Sequence, residues 1–124
     1  MAQPIRVLIA DDSARTRQGL RVLFATWPEI TVVGEAADGQ EAMRLVAESQ
    51  PDVVLMDLHM PVLDGVQATQ LIKQQWPAVI VVALTMYAVE QSAALAAGAD
   101  AFVIKGSAPE RLLTAMGVSA GVKS

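Results

Sequence analysis

The chain has 124 residues, of which 53% are hydrophobic and 18% charged, with a net charge of −4 and no cysteine. That is the length of one domain with a sizeable core, and it excludes disorder, a disulfide framework and a thiolate metal site. The acidic balance argues against direct nucleic acid contact, where phosphate neutralisation supplies most of the affinity. The apolar run in MAQPIRVLIADD is too short for a signal peptide or a membrane span, so a soluble, cytoplasmic domain is expected.

In chain order, an apolar run at 5–10 predicts a first strand that ends on Asp11 and Asp12. Leu20, Leu23, Phe24 and Trp27 then recur at helical spacing, a core-facing stripe that Pro28 ends. A second strand follows at 31–35. Asp38 with Glu41 marks the start of a helix whose apolar face is Ala42, Leu45 and Val46. The third strand, 53–56, runs into Asp57. Beyond it lies a loop with His59, and with Pro61 and Gly65 as its turn residues. Asp64 with Gln67 starts a helix with Ala68, Leu71 and Ile72 turned inward. The fourth strand, 79–84, ends on Thr85, and an Ala-rich helix over 86–97 is stopped by Gly98. The fifth strand, 101–104, ends on Lys105. Ser107 with Glu110 predicts the cap of the last helix, and Pro109 sits in its tolerant first turn.

Near-continuous Val and Ile runs are those of strands covered on both faces. Repeated strand–helix units with short connections imply right-handed crossovers, hence an α/β fold with a parallel sheet and helices on both sides. The domain is expected over residues 4–117. Residues 118–124 are expected as a tail or the start of a linker.

Four strands thus end on residues that can do chemistry, and in a parallel sheet those ends share one rim. Open sheets of this kind hold ligands at that edge. Singly, each residue has a plainer reading: Asp12 as a helix cap, Asp57 as a turn former, Thr85 as a cap, Lys105 as a snorkelling side chain. Three carboxylates brought together either raise their pKa values or hold a cation. Mg²⁺ suits them, because it takes oxygen ligands and keeps waters that a phosphate oxygen can replace. Asp57 is the candidate nucleophile, since a carboxylate that attacks phosphorus forms an acyl phosphate. Lys105 would neutralise charge on the transferring group, and Thr85 would offer a hydroxyl donor.

The segments VLIADDS, VVLMDLHMPVLDG, VALT and GADAFVIKGS, in this spacing, resemble the receiver domain of bacterial two-component response regulators from about Arg6 to Met116. The resemblance implies a doubly wound, flavodoxin-like sheet of five strands in the order 2-1-3-4-5 with five flanking helices. It implies Asp57 as phosphoacceptor, Asp12 as a direct Mg²⁺ ligand, Asp11 acting mostly through water, and the backbone carbonyl of His59 as a further ligand. It also implies Lys105 paired with the acyl phosphate and Thr85 bonded to a phosphoryl oxygen. His59 and Tyr87 would flank the phosphoryl group and tune its hydrolysis. Phe102 lies where receivers carry a switch aromatic; a plain core Phe is the alternative. The implied partner is a sensor histidine kinase, and the module is a signalling switch rather than a turnover enzyme.

Gly106 stands where many receivers have a proline preceded by a cis bond, so cis geometry is not assumed there. KG or KS at this point resembles receivers of the NarL/FixJ/LuxR kind, which implies a C-terminal helix-turn-helix output domain. The Ala-rich stretch 89–97 suits either a phosphorylation-linked homodimer or packing on the sheet. Two rival readings remain. A haloacid-dehalogenase-like phosphohydrolase would need a second Asp where Ser13 stands. A non-phosphorylated docking receiver would not need all five site residues.

Overall fold

The computed structural model describes residues 3–118. Five strands, β1 (Ile5–Ala10), β2 (Ile30–Ala36), β3 (Val53–Asp57), β4 (Ile80–Thr85) and β5 (Ala101–Ile104), alternate with five helices. The helices are α1 (Ala14–Phe24), α2 (Gly39–Ser49), α3 (Gly65–Gln75), α4 (Gln91–Ala96) and α5 (Pro109–Ala115), and a 3₁₀ turn, Ala88–Glu90, leads into α4. The sheet is parallel throughout, with the expected order β2-β1-β3-β4-β5. Val7 and Ile9 of β1 point to one layer with Phe24, Leu112 and Met116, while Leu8 and Ala10 point to the other with Val46, Ala68 and Ile72. The two-residue alternation of a strand thus feeds two cores from one apolar run.

The starts of α1, α2 and α3 follow the chain's polar punctuation, while α4 and α5 have no side-chain cap. Asp38 accepts from Glu41 N at 2.7 Å, and Asp64 forms a full capping box with Gln67. The Ser107 cap is not found: the N-cap of α5 falls one residue later, on Ala108, with no side-chain cap bond. Pro109 at N1 forces the residue before it into extended backbone, and Ala108 takes that conformation at φ −57, ψ 140. Two further expectations are corrected. The α1 stripe ends at Phe24, because the Thr26 hydroxyl donates to Leu23 O and the chain turns out of the helix. Trp27 still packs on Phe24, with ring centroids 5.6 Å apart. Leu71 is exposed rather than inward, since α3 turns Ala68, Thr69 and Ile72 to the sheet.

The helix expected over 86–97 is shorter and split. Its first part is the 3₁₀ turn, and α4 proper covers six residues. Gly98 ends it at φ +107, a left-handed conformation that glycine adopts without strain. Ala94 faces the sheet while Val89 and Leu95 remain exposed. Among the described residues no peptide bond is cis, and no helix is long and apolar enough to cross a membrane. Of the expected tail, Val118 donates to Leu113 O at 2.8 Å; residues 119–124 lie outside the described part.

Candidate functional site

The C-terminal ends of β1, β3, β4 and β5 bring Asp11, Asp12, Asp57, Thr85 and Lys105 to one rim. Asp11, Asp57 and Thr85 are 1%, 3% and 1% exposed, whereas Asp12 faces solvent. Burial at a strand end orients the first three and leaves Asp12 at the mouth.

Asp11 is fixed from several sides. Its N–H donates to Ala36 O on β2 at 2.9 Å, and its Oδ1 accepts from Ser13 N at 2.9 Å. Its Oδ2 accepts from Lys105 Nζ at 2.8 Å, and its carbonyl accepts from Arg17 at 2.6 Å. Arg17 is in turn held by Glu35 at 2.9 Å. Ser13, where a haloacid-dehalogenase-like enzyme would carry its acid, caps α1 by accepting from Thr16 N at 3.1 Å.

Asp57 Oδ1 accepts from His59 N at 3.0 Å and lies 3.4 Å from Lys105 Nζ. The turn that aims it closes tightly: Gly65 N donates to Leu58 O at 3.2 Å, and a Cβ on Gly65 would lie 2.1 Å from Asp57 O. No residue larger than glycine fits there without moving the loop.

The electrostatics follow from this packing. Burial raises the Asp57 pKa above the usual carboxylate value; the His59 N–H opposes that, Asp11 adds to it, and Lys105 opposes it. For Lys105, burial works against the ammonium, but the bond to Asp11 and the charge of Asp57 outweigh it and raise its pKa. One carboxylate oxygen from each of Asp11, Asp12 and Asp57 lies within 4.8 Å of the others. Three oxygen donors against one ammonium leave the rim short of positive charge, which fits a hard divalent cation such as Mg²⁺.

Thr85 and His59 are joined by a residue that the sequence did not single out. The Thr85 hydroxyl donates to Glu90 Oε1, and the His59 ring Nε2 lies 2.9 and 2.7 Å from the two Glu90 oxygens. The ring is therefore engaged with a carboxylate. The Tyr87 and His59 rings meet in a T-shaped arrangement with centroids 5.6 Å apart, and the Tyr87 N–H donates to Thr85 Oγ1 at 3.2 Å. Phe102 is half-buried on Leu58, Ala83, Ala94 and Ala99. It also lines a groove of about 540 Å³ between α4, β5 and α5 with Gln91, Glu110 and Arg111. It is thus neither wholly core nor wholly free. Nothing local in the sequence marks Arg17 or Glu90. Each looks like an ordinary polar residue of a helix or turn, and only the fold brings it to the rim.

A doubly wound parallel sheet that gathers an acidic triad, a hydroxyl and a lysine at its switch point defines a phosphoacceptor module. The chain belongs to the response regulator receiver domain family, whose profile matches residues 7–117. It is 45% identical over 119 residues to the transcriptional regulatory protein YhcZ of Bacillus subtilis, covering 94% of this chain and 56% of that one. It is 39% identical over 104 residues to the response regulator protein VraR of Staphylococcus saprophyticus, covering 82% and 50%. Among solved structures, a LuxR-family response regulator from an Aurantimonas species superposes with a TM-score of 0.84 at 38% identity, over 90% of this chain and 81% of that one. The response regulator domain of Thermotoga maritima CheB gives 0.82 at 34%, over 91% and 94%. The chain spans about half the length of the curated relatives it matches.

Proposed function

We propose that Asp57 accepts a phosphoryl group from a phosphohistidine of a sensor histidine kinase, and that the domain thereby switches an output. The observation that carries this reading is the placement of Lys105 beside both Asp11 and Asp57 at 2.8 and 3.4 Å. Asp57 Oδ1 is anchored by His59 N and faces Lys105, so Oδ2 is the oxygen left to attack phosphorus. The O–P bond forms as the P–N bond of the donor breaks, and the electron pair leaves with the imidazole. Such transfer depends on alignment and charge neutralisation more than on covalent help.

Asp12, Asp57 and the His59 carbonyl would hold Mg²⁺ directly, with Asp11 acting through water. When bound, the ion supplies positive charge for the equatorial phosphoryl oxygens. Lys105 does the same from the opposite side while keeping its proton. Thr85 would bond a phosphoryl oxygen, Phe102 would turn inward into the space Thr85 vacates, and the groove between α4, β5 and α5 would change shape. His59 and Tyr87, at the mouth, would set how fast water reaches the acyl phosphate.

The likeness to transcriptional regulators supports a C-terminal helix-turn-helix output domain in the whole protein and a cytoplasmic location. Incubation with acetyl phosphate and Mg²⁺ should add one phosphoryl mass to the wild-type domain and none to Asp57→Ala. An adduct that survives in the variant, or that forms equally in EDTA, would sink the assignment.

A further inference from the structure

Glu90 lies at the end of the 3₁₀ turn, five residues beyond Thr85, with a side chain 27% exposed. Its carboxylate spans the mouth of the site, taking the Thr85 hydroxyl from β4 and the His59 ring from the loop after β3. A threonine hydroxyl has one proton to donate. That of Thr85 is committed to Glu90, while its oxygen accepts from Tyr87 N at 3.2 Å. Thr85 is 1% exposed, so water is a poor substitute partner. To donate to a phosphoryl oxygen, Thr85 must first give up Glu90.

We infer that Glu90 is a positioning residue for phosphoryl acceptance: its carboxylate competes with the phosphoryl group for the Thr85 hydroxyl and so holds the domain in its unphosphorylated arrangement. The inference rests on the reading of Asp57 as phosphoacceptor and Thr85 as its partner, and adds the group that must be displaced. Release of Glu90 would also free the start of α4, which has no side-chain cap of its own. The latch thus joins the acceptor site to the α4 side of the domain.

The test is a titration of the folded domain with beryllofluoride and Mg²⁺, followed by fluorine NMR, for wild type, E90A, E90Q, T85A and the E90A/T85A double variant. Beryllofluoride stands in for the phosphoryl group on Asp57. E90A should bind about tenfold more tightly than wild type, the weight of one hydrogen bond to a charged group. E90Q, a neutral acceptor, should fall between the two. In the T85A background, loss of Glu90 should change affinity by less than about twofold, because no hydroxyl is left to compete for. An equal gain with and without Thr85 would mean simple charge repulsion and would overturn the inference, as would E90A binding no better than wild type. If wild type and E90A alike bind no beryllofluoride and form no adduct with acetyl phosphate, the phosphoacceptor reading itself falls and takes this inference with it.

Discussion

Lys105 Nζ sits 2.8 Å from Asp11 Oδ2 and 3.4 Å from Asp57 Oδ1, so the lysine leans toward Asp11 rather than toward Asp57, the proposed acceptor. Asp11 is almost wholly enclosed, and this ammonium is what compensates its charge. Lys105→Ala would leave that charge buried without its partner. A loss of about 3 kcal/mol is predicted by urea denaturation, the low end for breaking such a pair. MgCl₂ should recover part of the loss, whereas NaCl at equal ionic strength should not.

Asp57 pulls in the other direction. Its pKa is raised from 3.8, chiefly by burial, so the folded state favours its protonated form. The stability this gives is complete below pH 3.8 and is lost as pH rises through the folded-state pKa. At neutral pH the ionised group costs stability, and Asp57→Asn is predicted to raise Tm. The difference should vanish as pH falls below the unfolded value. Lys105, raised from 10.5, contributes stability that is complete below that value and declines only as pH climbs through its higher folded-state pKa. The signs are checked by thermal melts in EDTA across the pH range.

Gly65 ties loop shape to acceptor aim. Because a Cβ there would fall 2.1 Å from Asp57 O, Gly65→Ala must displace the turn after β3. A loss of about 2 kcal/mol is expected, within the range for forced overpacking. Mg²⁺ affinity by calorimetry should fall with it, since the same turn carries the His59 carbonyl. A variant that is less stable yet binds Mg²⁺ normally would uncouple the two.

Much of this architecture was legible beforehand. Strands covered on both faces write themselves as long apolar runs, so all five were found, and Asp11, Asp57, Thr85 and Lys105 follow directly from where those runs stop. What was missed depends on tertiary distance. Glu90 is five residues from Thr85 along the chain, but nothing local says that a 3₁₀ turn will fold it back over the hydroxyl and across to His59. Arg17 reaches the Asp11 carbonyl only because α1 lies beside β1. Boundaries failed where local rules competed: Pro109 overrode the Ser107 cap, and Thr26 ended a stripe that continues in space through Trp27.

Phe102 tests the switch. Its ring packs on the cluster of Leu58, Ala83, Ala94 and Ala99 yet borders the α4–β5–α5 groove, and the proposed switch turns it inward into the space Thr85 would release. Crystals of the free and beryllofluoride-bound domain should show two Phe102 rotamers. One rotamer in both would remove Phe102 from the coupling. Phe102→Ala should still take up phosphoryl from acetyl phosphate, since the ring packs on the Leu58, Ala83, Ala94 and Ala99 cluster and supplies no charge or hydrogen bond to the transfer.

The most direct test of the central claim is to find which side chain carries the phosphoryl group. The domain is loaded with acetyl phosphate and Mg²⁺, the acyl phosphate is reduced with borohydride, and the modified residue is located by peptide mass spectrometry. Conversion of Asp57 to homoserine is expected, dependent on Mg²⁺ and lost or strongly reduced in Lys105→Ala. Reduction at Asp11 or Asp12 instead, with position 57 untouched, would contradict it.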